Sequence, residues 1–126
     1  MSPLLYVMVG GAVGSGARYL TGRAMTALLG AGYPFGTLAV NLVGGLLMGV
    51  LVGVLARHSA PEGWRLLLGV GVLGGFTTFS AFSLDAVLLY ERGKIGLAAA
   101  YVCTSVILSI AALFAGLAIV RSLVRA

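Results

Sequence analysis

Polar residues in this chain gather into short clusters, and long apolar stretches fill what lies between them. The first apolar stretch runs from about Leu4 to Thr26 and gives way to the turn-forming Gly32, Tyr33 and Pro34. A second runs from about Phe35 to Leu55 and ends at the polar Arg57, His58, Ser59, Ala60, Pro61, Glu62 and Gly63. A third covers about Trp64 to Tyr90, closed by Glu91, Arg92, Gly93 and Lys94, and a fourth extends from about Ile95 to Val120. A helix needs about 20 apolar residues to cross about 30 Å of hydrocarbon. The pattern therefore predicts an all-α membrane protein: one transmembrane domain, residues 1–126, with four spans at about 4–26, 35–55, 64–90 and 95–120.

Composition agrees. Of 126 residues, 60% are hydrophobic and 9% charged, against about 25% charged in an average soluble domain. Mean hydropathy is +1.12, and four spans leave no room for an extramembrane domain. The opening residues carry no basic segment of the secretory type, so no leader is expected to be removed. Cys103 is the single cysteine and cannot form an intrachain disulfide. A net charge of +5 would raise the question of nucleic acid in a soluble protein. Here the basic residues sit at or near the span ends as interfacial anchors, and no nucleic-acid partner is expected.

Four spans put both termini on one side. That side holds Arg57, Arg65, Arg121 and Arg125; the other holds Arg18, Arg23, Arg92 and Lys94. Orientation follows the lysine and arginine bias, so a balanced count leaves insertion without an instruction. Dual topology is the expectation, with a single weakly specified orientation as the alternative. Glycines point to close helix contacts: Gly10, Gly11, Gly14 and Gly16 in the first span, and Gly44, Gly45, Gly49 and Gly53 in the second, recur at spacings near four. A four-helix bundle has little interior of its own, and oligomerisation is expected.

Polar groups inside spans need partners or water. The sharpest cluster runs from Gly74 and Gly75 through Phe76, Thr77, Thr78, Phe79, Ser80, Ala81 and Phe82 to Ser83. Two glycines and two β-branched threonines are poor material for an unbroken helix, so the third span is predicted to break near mid-membrane and free backbone carbonyls able to coordinate a cation. A kinked helix without a function is the competing reading. Phe79 and Phe82 are three apart, on one helical face with Ser80 and Ser83 beside them. Their ring edges carry partial positive charge and suit a small anion, although core or lipid packing also accounts for them.

Asn41, with Thr37 one turn earlier, is the polar pair of the second span, and it serves either a pathway or helix association. In the fourth span Tyr101, Ser105 and Ser109 form a stripe at i, i+4 and i+8, with Thr104 adjacent. Such serines often bond back to their own helix. Three spans that each present a polar, non-ionised track nonetheless suggest a narrow pathway lined by donors, which favours an anion. Arg18 lies near the end of the first span, where it would concentrate anions at a vestibule. Asp85 either forms a salt bridge or sits near the interface, or it serves as a partner for a cation or for Arg18, and His58 is assigned no role.

The motifs that carry a resemblance are the two glycines and following glycine ahead of Arg18 and Tyr19, Gly36-Thr37-Leu38 leading to Asn41 and Leu42, and the Gly74-to-Ser83 segment. In these the chain resembles the Fluc, or CrcB, fluoride channels of bacterial inner membranes along nearly its whole length. Ala81 stands where that family usually has threonine. The resemblance implies an antiparallel, dual-topology homodimer with two fluoride pathways lined by both subunits. It implies that Phe79 and Phe82 line the path, with Thr37, Asn41, Ser80, Tyr101, Ser105 and Ser109 as the polar lining and Arg18 in the vestibule. A structural sodium ion would be held by the Gly74 and Thr77 backbone carbonyls, and Asp85 would match the family's acid after the phenylalanines. Lipid, fluoride, sodium and a second copy of the chain are the implied partners. The channel would release fluoride that entered as the neutral acid and ionised in the cytoplasm, and so protect against its toxicity.

Two alternatives compete. A dual-topology small multidrug transporter needs a membrane-embedded carboxylate in its first helix, and Leu4 to Thr26 contains none. A non-transporting scaffold subunit would account for the glycines but has no need of three aligned polar tracks. An enzyme is not expected, since the spans hold no histidine, no cysteine–histidine pair and no paired carboxylates.

Overall fold

The computed structural model describes residues 2–125, and over these the secondary structure is wholly helical. Helix α1 spans Pro3–Leu29. Its start is set by Ser2, whose Oγ accepts from the Leu5 N–H at 3.3 Å, and by a proline at the first helical position, where no N–H is needed. It ends at Gly30, whose φ of 84° suits a residue without Cβ. Helix α2 spans Phe35–Leu55. The third rod is composite: α3 (Glu62–Trp64), a π-helix π1 (Arg65–Leu73), α4 (Gly74–Phe76), an interruption at 77–79, and α5 (Ser80–Glu91). A turn with Gly93 at φ 80° leads to α6, Ile95–Arg125.

Three of these rods have both the length and the apolarity to cross a membrane: Phe35–Leu55, Glu62–Glu91 and Ile95–Val124. The shortest, at 21 residues, is about 32 Å long at 1.5 Å per residue. Helix α1 is longer, at 27 residues, but its five glycines and two arginines make it less apolar. Large apolar side chains cover the outside, with Leu28 78% and Phe114 67% exposed. Surface of that kind belongs against lipid or another chain.

The packing order explains the interruption. Before it, π1 and α4 lie against α1; after it, α5 lies against α6, while α2 packs on both α1 and α6. The third rod thus changes neighbours at its break. Backbone contact through glycine makes both seams close. Gly10 and Gly14 face π1, and Gly75 faces the Gly11 backbone. On the other side Gly45 faces Ser109, Gly49 faces Leu113 and Gly116, and Gly53 faces Val120. Gly16, expected on a packing face as well, meets nothing within 4 Å among the described residues.

The third rod breaks inside the Gly74-to-Ser83 segment, as expected, though not at its glycines: Gly74 and Gly75 are both helical in α4, and Gly75 uses its missing side chain to approach α1. The break falls on Thr77, Thr78 and Phe79, where Thr77 is extended with φ −88° and ψ 160°. The physical reason is donor competition. Thr77 spends both its N–H and its Oγ1 on the Leu73 carbonyl, at 3.0 and 2.9 Å, and the next N–H is taken by another helix. The same rod holds π1, a nine-residue segment that the hydropathy pattern did not distinguish from α-helix.

Candidate functional site: the interrupted helix and its arginine-lined vestibule

Asn41 reaches the break from α2 and pairs with the Thr78 backbone twice. Its Nδ2 donates to the Thr78 carbonyl at 3.0 Å, and its Oδ1 accepts from the Thr78 N–H at 2.9 Å. The amide is therefore a partner for the irregular backbone that a buried break requires. Arg18 does a related job from α1, donating from Nε to the Gly75 carbonyl at 3.1 Å. The start of α5 is capped from within: the Thr78 Oγ1 accepts from the Ala81 N–H at 3.1 Å and lies 3.3 Å from the Ser80 Oγ. Ser83 bonds back to the Phe79 carbonyl at 2.9 Å.

These bonds leave two carbonyls without their helical donors. In an unbroken α-helix the Thr78 N–H would serve Gly74 and the Ala81 N–H would serve Thr77. The first goes to Asn41 and the second to the Thr78 side chain. Oxygen ligands of this type suit a hard cation. Among the described residues no cluster of three or more histidine, cysteine or acidic side chains offers a competing metal site.

Beyond the break the aromatic residues form a connected line. The Phe79 and Phe82 ring centroids lie 5.5 Å apart, those of Phe82 and Tyr101 5.3 Å, and Tyr33 meets Tyr101 edge-on at 5.6 Å. Phe79 and Phe82 share a face as their spacing predicts, yet they differ in setting: Phe79 is 78% exposed and Phe82 only 8%. Tyr101 is fully buried, and its hydroxyl donates to Asp85 Oδ2 at 3.2 Å. Asp85 is thus held by a phenol. Arg18, expected as its partner, instead bonds Gly75, and the ion pair among the described residues is Arg65 with Glu62.

One turn and two turns below Tyr101 on α6, the Ser105 and Ser109 hydroxyl oxygens are shielded from solvent and have no hydrogen-bond partner among the described residues. Serines on a helix usually bond back to the carbonyl four residues before. Neither makes that bond here, which leaves both hydroxyls able to donate to a partner from outside their own chain.

A cavity of about 840 Å³ opens at the α1–α2 turn. Arg18, Arg23 and Arg92 line it, with Thr37, Thr78 and Asp85 on its inner wall. Three guanidinium groups against one carboxylate give it a positive field that concentrates anions. Phe79, Phe82, Ser80, Tyr101, Ser105 and Ser109 do not border this cavity, so the expected site residues divide into those that line the vestibule and those that do not. Sequence reading missed Arg23 and Arg92, counted there only as topology charges, and Tyr33, taken only as a turn residue. The signal available was their shared side of the membrane.

An all-helical chain with apolar rods of membrane-crossing length and an apolar exterior fits a multi-pass membrane protein. Residues 5–117 match the family described as CrcB-like protein, Camphor Resistance (CrcB), and the chain belongs to that family. It is 54% identical over 123 residues to a protein of Novosphingobium aromaticivorans named fluoride-specific ion channel FluC, covering 96% of this chain and 98% of that one. Likenesses of 59% over 121 residues and 54% over 123 residues link it to proteins of the same name from Cereibacter sphaeroides and Caulobacter vibrioides.

Proposed function

We propose that this chain is a fluoride-selective passive channel subunit of a bacterial inner membrane, exporting cytoplasmic fluoride and so protecting the cell against it. The observation that carries the reading is the pair of buried hydroxyls of Ser105 and Ser109, on the helix whose Tyr101 meets Phe82, in a chain similar over nearly its whole length to fluoride-specific channels. Fluoride is small and strongly hydrated, so a site that strips its water must return hydrogen bonds. Hydroxyl donors and ring edges do this without a fixed charge that would hold the ion. The Arg18, Arg23 and Arg92 vestibule raises the local anion concentration, and Thr37 and Ser80 with Asn41 extend the polar lining on either side of the break. Purified protein in liposomes is expected to pass fluoride and not chloride, without added energy, when followed with a fluoride electrode. Efflux no faster than from empty liposomes, or brisk chloride flux, rules the reading out.

The assembly we propose is an antiparallel homodimer of four-span subunits with two pathways, α1 serving as the remaining span. The four-against-four distribution of basic residues supports it, as does the exposure of Phe79, which in a single chain leaves half of the aromatic pair uncovered. Reporters fused to the C-terminus are expected to give signal on both sides of the membrane; signal on one side alone excludes dual topology. The freed Gly74 and Thr77 carbonyls fit a sodium ion at the centre of such a dimer, where it would neutralise carbonyl dipoles and stabilise the assembly.

A further inference from the structure

Asn41 lies on the route assigned to fluoride, yet its observed contacts are with backbone. Both amide atoms are engaged by Thr78, and one of those bonds has a consequence for the carbonyl four residues earlier. If Oδ1 did not hold the Thr78 N–H at 2.9 Å, that donor would be free to return to Gly74 and restore the helical bond. Thr78 is flanked by features that make such a return possible. The Thr77 N–H already makes its helical bond to Leu73, so the helix is intact up to the residue before. Gly44, on the same helix as Asn41 and three residues on, lies against the Thr77 side chain, so α2 meets the break at two consecutive positions.

We infer that Asn41 is a positioning residue for the cation site: by taking the Thr78 N–H it holds the third rod open and keeps the Gly74 carbonyl free to bind sodium. The inference rests on the sodium reading above and deepens it, since it makes one side chain answer for both ions. The acceptor oxygen serves the cation site through Thr78. The amide nitrogen keeps a second N–H beyond the one given to the Thr78 carbonyl, and that proton remains available to the anion path. Arg18 complements it by occupying the neighbouring Gly75 carbonyl, which removes that oxygen from competition.

The two atoms of the amide are separable by substitution. Asn41→Leu keeps the approximate volume and removes both; Asn41→Asp keeps an oxygen for the Thr78 N–H in either protonation state. The experiment is thermal unfolding of the detergent-solubilised assembly in rising sodium chloride, with choline chloride holding ionic strength constant. A ligand that binds the folded state raises its stability with concentration. Wild type is expected to show a sodium-dependent rise in Tm. Asn41→Leu is expected to shift the sodium midpoint upward by about 10- to 100-fold, the usual result of losing an outer-shell partner of a bound ion. Asn41→Asp is expected to keep the sodium midpoint at or below the wild-type concentration while losing fluoride efflux, because a carboxylate attracts the cation and repels the anion.

Equal sodium midpoints in wild type and Asn41→Leu overturn the inference while leaving the sodium site standing. Absence of any sodium effect in wild type removes both. Should Asn41→Leu fail to assemble, Asn41→Ser and Asn41→Asp are compared instead: the shorter serine hydroxyl cannot span to Thr78 from the same backbone position, so the same midpoint shift is expected of it, and its absence counts against the inference.

Discussion

Fluoride efflux from liposomes containing Phe82→Ile protein is expected to fall by about tenfold or more, which corresponds to about 1.4 kcal/mol on the barrier. The ring of Phe82 is placed by Tyr101 on one side and Phe79 on the other, at 5.3 and 5.5 Å between centroids. Isoleucine fills much of the space but has no quadrupole, so the partial positive edge that would face the anion disappears. Its branched Cβ also restricts χ1 within α5. Assembly is expected to survive, since the change is a modest loss of volume in a small core cluster of Phe82, Leu89, Ala98 and Tyr101. Size-exclusion chromatography beside the efflux assay separates the two effects. Loss of the dimer together with flux would return Phe82 to a packing role, and unchanged flux would remove it from the pathway.

Phe79→Ile tests the other half of the pair. Phe79 has few neighbours in its own chain, so a reduction in flux there depends on what covers it in the assembly. The two variants therefore respond to different parts of the proposal.

Three apolar rods, Phe35–Leu55, Glu62–Glu91 and Ile95–Val124, were legible because lipid imposes a pattern that water does not: each must be apolar over a fixed length, and polar turns interrupt that pattern sharply. The polar stripe on α6 was legible for the same reason, since Tyr101, Ser105 and Ser109 are costly where they stand. The break was legible to within the Gly74-to-Ser83 segment, from two glycines and two β-branched threonines, but its place within that segment was not. In the fold those glycines are helical, and the break is fixed by hydrogen bonds between residues 37 positions apart, Asn41 and Thr78. A contact of that kind leaves no periodic trace. The partner of Asp85 was hidden likewise: charge alone suggested Arg18, whereas the geometry gives Tyr101.

Gly14→Ala is expected to destabilise the folded protein by about 3 kcal/mol or more, the upper end of the range for overpacking. A Cβ built at Gly14 runs into the Val72 carbonyl oxygen, with Phe76 N at 2.8 Å and Val72 C at 2.9 Å. All three are backbone atoms, so no side-chain rotation relieves the clash, and α1 must move away from π1. One turn earlier Gly10 is equally confined, with Gly71 Cα and Val72 N both at 2.9 Å, so the seam has no slack on that side. Separation also withdraws Arg18 from the Gly75 carbonyl, and the effect therefore reaches the break. Gly16→Ala is the matched comparison on the same helix, because its Cβ meets nothing within 4 Å among the described residues; there alanine is expected to be neutral or to stabilise by about 0.5–1 kcal/mol through helix propensity. Unfolding of both variants in detergent, followed by the fluorescence of Trp64, measures the difference. Equal stability of Gly14→Ala and wild type would mean that α1 and π1 do not meet through backbone. A large loss in Gly16→Ala would instead assign the open face of α1 to the second copy of the chain, since nothing in its own chain is close enough to object.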